Sequence, residues 1–414
     1  MSRRFFTAME WRKAFAALPE GERERRQKLA DRFVQTFGDK PFGLFSAPGR
    51  TEIGGNHTDH ENGCVLAAAV NLDTIAAVAE NGSTMIRLHS DGYRPCLVDL
   101  SNLSAPIQEK NTTNALIRGV AAAFAKRGAK VRGFDMVMTS NVLPGSGLSS
   151  SAAVEVLLGV VMNTLFFGGK ATPVEIAQIG QFAENVYFGK PSGLMDQTAS
   201  SVGGLVTIDF ADTKNPIVKP VAFDFAKTGY HLCILDSGAS HANLTGEYTA
   251  IVSELRAVCK VFGKTVLGEV PEADFWARLP EVRAACGDRA ALRAMHIYAD
   301  NARVKQQVAA LEQGDFDAFL ALVRDSGQSS LNLLQNVTPS GATAHQELAL
   351  TIALGEKLLG KRGACRVHGG GFAGTAQAFV PDDLLTDYVQ KTEAVLGKGH
   401  CHVLSIRQDG GIQL

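Results

Sequence analysis

A segment rich in glycine and serine in the first half of the chain constrains its fold more than any other. Residues 144–153 read Pro-Gly-Ser-Gly-Leu-Ser-Ser-Ser-Ala-Ala. The alternating apolar residues Phe134, Met136 and Met138 precede it and predict a half-buried strand, whereas residues 154–158 behind it suit a buried helix. Glycines allow a backbone to close around a ligand, and free amides at a helix N-terminus attract anions. The segment therefore predicts a phosphate-binding loop between a strand and a helix, with a serine-rich helix cap as the alternative.

Length and composition indicate an ordinary globular protein of two or three domains. The chain has 414 residues, of which 45% are hydrophobic and 20% charged, and its formal net charge is −1. This charge argues against a nucleic-acid or membrane partner, and no apolar run reaches the roughly 20 residues of a membrane span. The seven cysteines contain no Cys-x-x-Cys pair, which is typical of reduced thiols. We therefore expect a cytoplasmic protein that binds neither nucleic acid nor membrane.

Strand-like and helical patterns are mixed along the whole chain, so the predicted class is α+β. Thr172 and Glu175 form a capping box at the start of one predicted helix. The pattern begins afresh beyond about residue 220, which predicts two closely packed halves, residues 1–220 and 221–414. The predicted helices cover residues 20–36, 115–125, 172–187, 247–261, 271–285 with a break at Pro280, 290–312, 315–325 and 346–359, and one more starts at 383. The predicted strands cover residues 74–78, 85–88, 96–98, 204–210, 230–235 and 402–406, with a strand–turn–strand at 365–380.

A polar segment, Pro-Gly-Arg-Thr-Glu-Ile-Gly-Gly-Asn-His-Thr-Asp-His, packs many hydrogen-bonding side chains between glycines. Asn56, His57 and Asp59 within it form a pattern typical of a site that recognises adjacent hydroxyl groups. Arg50 in the same segment is suited to stabilise the charge of a transferring phosphate. A metal site made by His57, His60 and Asp59, or a polar turn without function, are the alternatives.

A second candidate for chemistry is Asp196, which follows the turn Lys-Pro-Ser-Gly and lies in Gly-Leu-Met-Asp-Gln. The preceding predicted helix carries Glu184 near its end. Two carboxylates from adjacent elements, together with a hydroxyl-rich phosphate loop, supply the magnesium ligand and the base that phosphoryl transfer requires. A helix cap or a solvated aspartate is the alternative.

A third candidate is the glycine-rich segment at residues 366–374, Arg-Val-His-Gly-Gly-Gly-Phe-Ala-Gly. It formally contains Gly-x-Gly-x-x-Gly, but a strand-like run follows where a dinucleotide-binding fold needs a helix. The segment therefore predicts a glycine hairpin that approaches the nucleotide site from the second domain, with a plain tight turn as the alternative.

These segments, in this order, resemble those of the GHMP small-molecule kinases, and the polar segment together with Met-Asp-Gln resembles the galactokinases among them. The resemblance runs from about residue 42 to residue 406. It implies an N-terminal domain like ribosomal protein S5 and a ferredoxin-like C-terminal domain, with the active site between them. It also implies a kinase whose substrates are a monosaccharide and ATP, with Mg²⁺ as cofactor, and which is a monomer or a homodimer.

The resemblance also implies roles for individual residues. Asp196 matches the catalytic aspartate and Arg50 the arginine that stabilises the transition state. Ser151 and Glu184 match the magnesium ligands. The implied sugar-binding residues are Asn56, His57, Thr58, Asp59, Gly193 and Tyr248. The implied ATP-phosphate loop consists of Gly145, Ser146, Gly147, Leu148, Ser149, Ser150 and Ser151.

The polar segment departs from the family pattern at one position that matters for the sugar. Galactokinases typically have Val-Asn-Leu-Ile-Gly-Glu-His-Thr-Asp, where this chain has Thr-Glu-Ile-Gly-Gly-Asn-His-Thr-Asp. The glutamate that accepts a hydrogen bond from the outer hydroxymethyl group is thus Asn56, which lacks the charge. A charge-assisted bond contributes roughly 1.5–3 kcal/mol, against about 1 kcal/mol for a neutral one.

Three functions are therefore open at this stage. The first is phosphorylation of galactose by ATP at the anomeric hydroxyl. The second is a related kinase for another sugar, such as a uronic acid, a pentose or an N-acetylhexosamine. The third is a sensor of sugar and ATP without catalysis, against which the presence of Asp196, Arg50, Ser151 and Glu184 argues.

Overall fold

The computed structural model describes residues 4–142, 147–190, 192–240 and 244–414. Its strands form one sheet of eight and one sheet of four. The larger sheet contains β1 (Gly43–Gly54), β2 (Cys64–Glu80), β3 (Met85–Ser90), β4 (Cys96–Asp99), β5 (Phe134–Ser140), β6 (Leu205–Asp209), β7 (Ile217–Pro220) and β12 (Ile412–Gln413). The smaller sheet contains β8 (Tyr230–Asp236), β9 (Ala364–His368), β10 (Thr375–Pro381) and β11 (Cys401–Leu404).

The larger sheet has the order β12-β1-β2-β5-β3-β4, and β6 pairs with the first part of β2 and with β7. Its neighbours are antiparallel except β3 and β5, which are parallel. Every residue of β1 is buried. The smaller sheet is antiparallel in the order β11-β8-β10-β9.

The helices of the described residues cover both halves of the chain. They are α1 (Ala8–Phe15), α2 (Glu20–Phe37), α3 (Thr113–Lys126), α4 (Ser150–Phe166), α5 (Pro173–Phe182), α6 (Met195–Val202), α7 (Thr245–Val261), α8 (Glu272–Ala277), α9 (Leu279–Cys286), α10 (Asp288–Glu312), α11 (Phe316–Ser329), α12 (Glu347–Leu359) and α13 (Leu385–Leu396). Short π-helical turns, Ala183–Phe188 and Ser330–Leu334, extend α5 and α11.

The predicted α+β class is confirmed, and most predicted elements are present. The capping box of Thr172 and Glu175 begins α5 as expected, with hydrogen bonds in both directions. The predicted helix at 271–285 is divided into α8 and α9 beside Pro280, because proline cannot continue a helix through its interior. The strand–turn–strand at 365–380 is the antiparallel pair β9 and β10.

Helices α3, α4 and α5 pack on one face of the larger sheet and form its main apolar core with residues such as Phe45, Met136, Leu157 and Ile179. Helices α12 and α13 cover the smaller sheet around Val367. Helix α6 packs against β1 and β2, where Oγ of Ser200 donates a hydrogen bond to the carbonyl oxygen of Pro48. This contact places the C-terminal half of α6 beside the middle of β1.

The two sheets divide the chain between β7 and β8, close to the predicted boundary at residue 220. One element crosses back, because β12 pairs with β1 through Phe45 and Ser46. The division into residues 1–220 and 221–414 stays a prediction. None of the helices in the described ranges combines the length and the apolar character needed to cross a bilayer.

Candidate active site

A cleft of about 220 Å³ brings together residues from β1, the loop after it, α6 and the turn between β9 and β10. It therefore collects parts of the polar segment, of the segment that contains Asp196 and of the glycine-rich segment at residues 366–374. Its lining residues are Arg50, Glu52, His57, Asp59, His60, Lys190, Ser192, Gly193, Met195, Asp196, Gly369 and Gly370.

Asp196 lies in the first turn of α6 and is held by two donors. Nε of Arg50 donates to its Oδ1 over 2.7 Å, and Oγ of Ser149 donates to its Oδ2 over 2.7 Å. Burial by itself would raise the pKa of Asp196, but the charge of Arg50 and these two hydrogen bonds hold it below its usual range. The carboxylate is therefore ionised and oriented near neutral pH.

The described part of the predicted phosphate loop lies next to this pair. The backbone N–H of Arg50 donates to the carbonyl oxygen of Leu148 at 3.0 Å, and its guanidinium donates to that of Gly147. Ser149 adopts a left-handed conformation with φ 57° directly before α4 begins. Ser150 and Ser151 are half-buried in the first turn of α4. Gly145 and Ser146 lie outside the described residues.

The exposed Lys190 and the buried side chains of Gln197 and Glu155 lie around Glu184, in the turn that extends α5. Nζ of Lys190 donates to Oε1 of Glu184 at 3.0 Å, and Nε2 of Gln197 donates to its Oε2 at 3.1 Å. The same amide donates to Oε2 of Glu155 at 2.9 Å, while Oε1 of Glu155 has no hydrogen-bond partner among the described residues. Burial, followed by the charge of Glu184, raises the pKa of Glu155 well above its usual range, which favours its neutral form.

The carboxylate of Glu184 and the hydroxyl group of Ser151, in the first turn of α4, are oxygen groups of the kind that Mg²⁺ binds. Mg²⁺ is usually held by one or two carboxylates together with substrate phosphates. The role of these two residues as magnesium ligands stays a prediction. In the part of the chain that the structure describes, no group of three or more His, Cys, Asp or Glu side chains is placed to bind a metal. A magnesium ion would therefore depend on substrate phosphates for its remaining ligands.

Three of the predicted sugar-binding residues lie together in the cleft. Nε2 of His57 is 3.0 Å from the carbonyl oxygen of Gly370, and burial lowers the pKa of His57 to about 4. Asp59 accepts a hydrogen bond from the backbone N–H of His60. A Cβ added to Gly193 would come within 2.5 Å of Oδ2 of Asp59, so that only glycine permits this approach.

Two predicted sugar-binding residues do not face the cleft. Asn56 is fully buried, and its amide bonds to Glu52, Gly369 and Asn336 inside the protein. Thr58 is also fully buried, and its hydroxyl group donates to backbone carbonyl oxygens of the same loop. Both residues shape the loop from within, which a one-dimensional motif cannot distinguish from contact with a ligand.

Tyr248 lies in the first turn of α7 and supports the glycine turn from behind. Its hydroxyl group donates to the carbonyl oxygen of Gly371 at 2.9 Å, and its ring fills the space where Gly370 would carry a Cβ. Burial raises the pKa of Tyr248 to about 12. Its predicted contact with the sugar stays a prediction, because the residues that line the cleft do not include it.

Several residues of the site were not predicted from the sequence. Glu52 lines the cleft and forms a buried ion pair with Arg366, whose Nη2 lies 2.6 Å from Oε1 of Glu52. In the sequence, Lys190 was noted only as part of a turn, and Glu155 only as one of the residues 154–158 that suit a buried helix. Glu155 could have been recognised from its charge, since an acidic side chain inside an apolar pattern is seldom buried without a partner.

Comparison with known protein families supports one assignment. Residues 115–204 match the family described as GHMP kinases N terminal domain, and residues 31–80 match the galactokinase galactose-binding signature. The galactokinase of Streptomyces coelicolor is 34% identical over 379 residues, which cover 89% of this chain and 93% of the relative. A galactokinase of Actinobacillus pleuropneumoniae serotype 3 is 31% identical, over 86% of this chain and 90% of the relative.

Solved structures give the same result. The crystal structure of Lactococcus lactis galactokinase complexed with galactose superposes with a TM-score of 0.80 and 26% identity, covering 94% of this chain and 99% of that one. A mevalonate kinase superposes with a TM-score of 0.63 at 12% identity, over 88% of this chain and 99% of that one, which shows a shared fold. The chain therefore belongs to the galactokinase family of the GHMP kinases.

Proposed function

We propose that the protein transfers the γ-phosphoryl group of ATP to the anomeric hydroxyl group of galactose. The observation that carries this proposal is the position of Asp196, which is fixed between Arg50 and Ser149 in a cleft of a galactokinase-family chain. Relatives at 31–34% identity are named galactokinase, and a solved relative was crystallised with galactose.

In the proposed reaction the anomeric oxygen attacks the γ-phosphorus, and the bond from that phosphorus to the β–γ bridging oxygen breaks. ADP leaves with the bridging oxygen, and the hydroxyl proton passes to Asp196. Because Asp196 is ionised and oriented before the sugar binds, it accepts a hydrogen bond from the hydroxyl group and aligns it for attack. Arg50 stabilises the negative charge that develops on the transferring group.

The remaining site residues take the roles that the family resemblance implies. Gly145 to Ser151 hold the ATP phosphates, and His57, Asp59 and Gly193 hold the sugar. Ser151 and Glu184 would hold Mg²⁺, which would neutralise phosphate charge. The cytoplasmic location and the state as monomer or homodimer stay predictions.

A kinase assay with purified protein, Mg-ATP and a panel of sugars tests the proposal. We expect ADP release with galactose, well above the rate without sugar, and galactose 1-phosphate as product. Replacing Asp196→Asn should lower kcat by orders of magnitude and leave the binding of ATP unchanged. The proposal fails if no sugar of the panel stimulates ADP release.

A second candidate, a kinase for another sugar, is favoured by the exchange of charge between positions 52 and 56 of the polar segment. The same panel decides between them, because a higher kcat/KM for a pentose, a uronic acid or an N-acetylhexosamine than for galactose would replace the first candidate. A sensor without catalysis would show no change in its output after Asp196→Asn.

A further inference from the structure

The glutamate of the polar segment stands at a different position in this chain than in the family pattern. The family pattern places asparagine first and glutamate four residues later, whereas this chain has Glu52 first and Asn56 four residues later. The two side chains touch, since Nδ2 of Asn56 lies 3.1 Å from Oε1 of Glu52. The pair thus keeps one carboxylate and one amide but exchanges their positions.

The amide of Asn56 is fully used inside the protein. Its Nδ2 donates to the carbonyl oxygen of Gly369 at 2.7 Å as well as to Glu52, and its Oδ1 accepts from Nδ2 of Asn336 at 2.8 Å and from Oγ of Ser330 at 3.3 Å. The residue has no exposed surface. A buried amide with these partners has no donor or acceptor left for a sugar hydroxyl group.

Glu52, in contrast, lines the cleft and retains acceptor capacity. Its Oε1 accepts from Nη2 of Arg366 at 2.6 Å and from Asn56. Among the described residues, its Oε2 accepts a long hydrogen bond of 3.4 Å from Nδ2 of Asn56. Since a carboxylate oxygen has two lone-pair sites, Oε2 can accept a further hydrogen bond from a ligand.

The backbone places Glu52 on the same side of β1 as Arg50. The two residues are separated by one position within a regular stretch, in which Arg50 is opposite Ala69 and Glu52 is opposite Ala67. Alternate side chains of a strand point to the same face and lie roughly 6–7 Å apart. Arg50 contacts Asp196, which marks the place of the reacting hydroxyl group, so Glu52 lies one side-chain spacing away from the arginine that contacts Asp196.

We propose that Glu52, rather than the residue at position 56, determines sugar specificity by accepting a hydrogen bond from a hydroxyl group remote from the one that is phosphorylated. This proposal rests on the proposed sugar-kinase function. Arg366 balances the charge of Glu52 from the protein side. At this place the site therefore favours a hydroxyl donor over the carboxylate of a uronic acid, which would lie beside the carboxylate of Glu52.

The test combines a variant with substrate analogues. kcat/KM is measured for wild type and for Glu52→Gln with galactose and with its 2-deoxy, 4-deoxy and 6-deoxy analogues. Wild type should lose at least about tenfold on one analogue, the range expected for a hydrogen bond to a charged group. For Glu52→Gln, kcat/KM should fall by a similar factor on galactose but little further on that analogue. The substitution and the missing hydroxyl group remove the same interaction.

Glu61→Gln serves as the matched control, since Glu61 is a buried glutamate in the loop after β1 and does not line the cleft. The double variant Glu52→Asn with Asn56→Glu restores the family order and should recover discrimination against the same analogue. If Glu52→Gln is unfolded, Glu52→Asp provides a second variant that keeps the charge and withdraws it from the sugar.

The outcomes separate this inference from the proposed function. If Glu52→Gln lowers kcat/KM equally for galactose and for all analogues, or for none of these sugars, Glu52 does not have the proposed role. The proposed kinase function is not affected by that result. If wild type phosphorylates no sugar, the proposed function fails. In that case calorimetry measures the binding of the same sugars to wild type and to Glu52→Gln. Equal affinities of the two proteins for the sugars would show that Glu52 does not have the proposed role.

Discussion

Nε of Arg50 lies 2.7 Å from Oδ1 of Asp196, although 146 positions separate the two residues in sequence. The bond joins the middle of β1 to the first turn of α6. It explains why the carboxylate keeps a low pKa in a partly buried position, because the guanidinium charge opposes the cost of burial. The order of the two segments along the chain says nothing about this distance.

The pH dependence of the reaction should report the bond between Arg50 and Asp196. The pKa of Asp196 is lowered, so its carboxylate stays ionised as pH falls. We therefore expect activity to be lost only at pH values below the usual pKa range of an aspartate. Replacing Arg50→Gln removes the charge, raises the pKa of Asp196 and shifts the acid limb of kcat/KM to higher pH. Arg50→Lys keeps a charge and should shift the limb less. An identical acid limb in wild type and Arg50→Gln would contradict this account.

The close approach of Gly193 and Asp59 predicts a selective defect in sugar binding. In Gly193→Ala the new Cβ would lie 2.5 Å from Oδ2 of Asp59 and displace its carboxylate. We expect KM for the sugar to rise at least about tenfold, the loss of one charge-assisted hydrogen bond, with KM for ATP unchanged. Gly246→Ala is the control, because no atom lies within 4 Å of its added Cβ. Equal KM values for the sugar in both variants would argue against a role of Asp59.

Magnesium dependence should distinguish the two buried glutamates. Glu184→Gln removes a charged oxygen ligand, so half-maximal binding of a fluorescent ATP analogue should require several-fold more Mg²⁺. Glu155→Gln replaces a carboxyl group whose raised pKa favours the neutral form, so the Mg²⁺ requirement should change little. If Glu155→Gln raises the requirement as much as Glu184→Gln does, the assignment of the ligand to Glu184 is wrong.

His57 predicts part of the acid sensitivity of the fold. Its pKa is lowered to about 4, because burial disfavours the charged imidazole, whereas an unfolded histidine takes up a proton near 6.5. Between pH 4 and pH 6.5 the imidazole is protonated in the unfolded state but not in the folded state. The contribution of the neutral His57 to the free energy of unfolding is therefore present above pH 6.5 and is lost as pH falls towards 4.

His57→Asn suits the left-handed backbone at this position, where φ is 64°. Between pH 7 and pH 5, the variant should lose about 1 kcal/mol less of its unfolding free energy than wild type, after allowance for solvent screening of the half-buried ring. Urea unfolding of both proteins at the two pH values measures the difference. His345→Asn, at an exposed position, is the control. A loss in the variant as large as in wild type would exclude this contribution.

Features with local causes could be predicted from the sequence. The capping box of α5, the break at Pro280 and the hairpin of β9 and β10 each depend on a few neighbouring residues. Strand β1 was missed because it is buried on both faces and carries charged residues, so it shows neither alternation nor a continuous apolar run. Helix α6 was missed because its Asp, Thr and Ser residues have weak helix propensity, and packing on β1 and β2 decides its state.

The site divides in the same way. Its chemistry could be predicted, because Arg50, His57, Asp59 and Asp196 lie in recognisable motifs, and the structure brings these four together. The inward orientation of Asn56 could not be predicted, because its partners Asn336 and Gly369 are 280 and 313 positions away. The same holds for the pairing of Glu52 with Arg366 across 314 positions.

The return of β12 to β1 limits how the protein can be divided. An N-terminal fragment that ended after β7 would lack the segment that pairs with Phe45 and Ser46, and this margin of the sheet would present unsatisfied amide and carbonyl groups. Such a margin invites another copy to add a strand there. Expression of separate halves, or a split reporter cut in this region, should therefore yield aggregates more readily than two stable pieces.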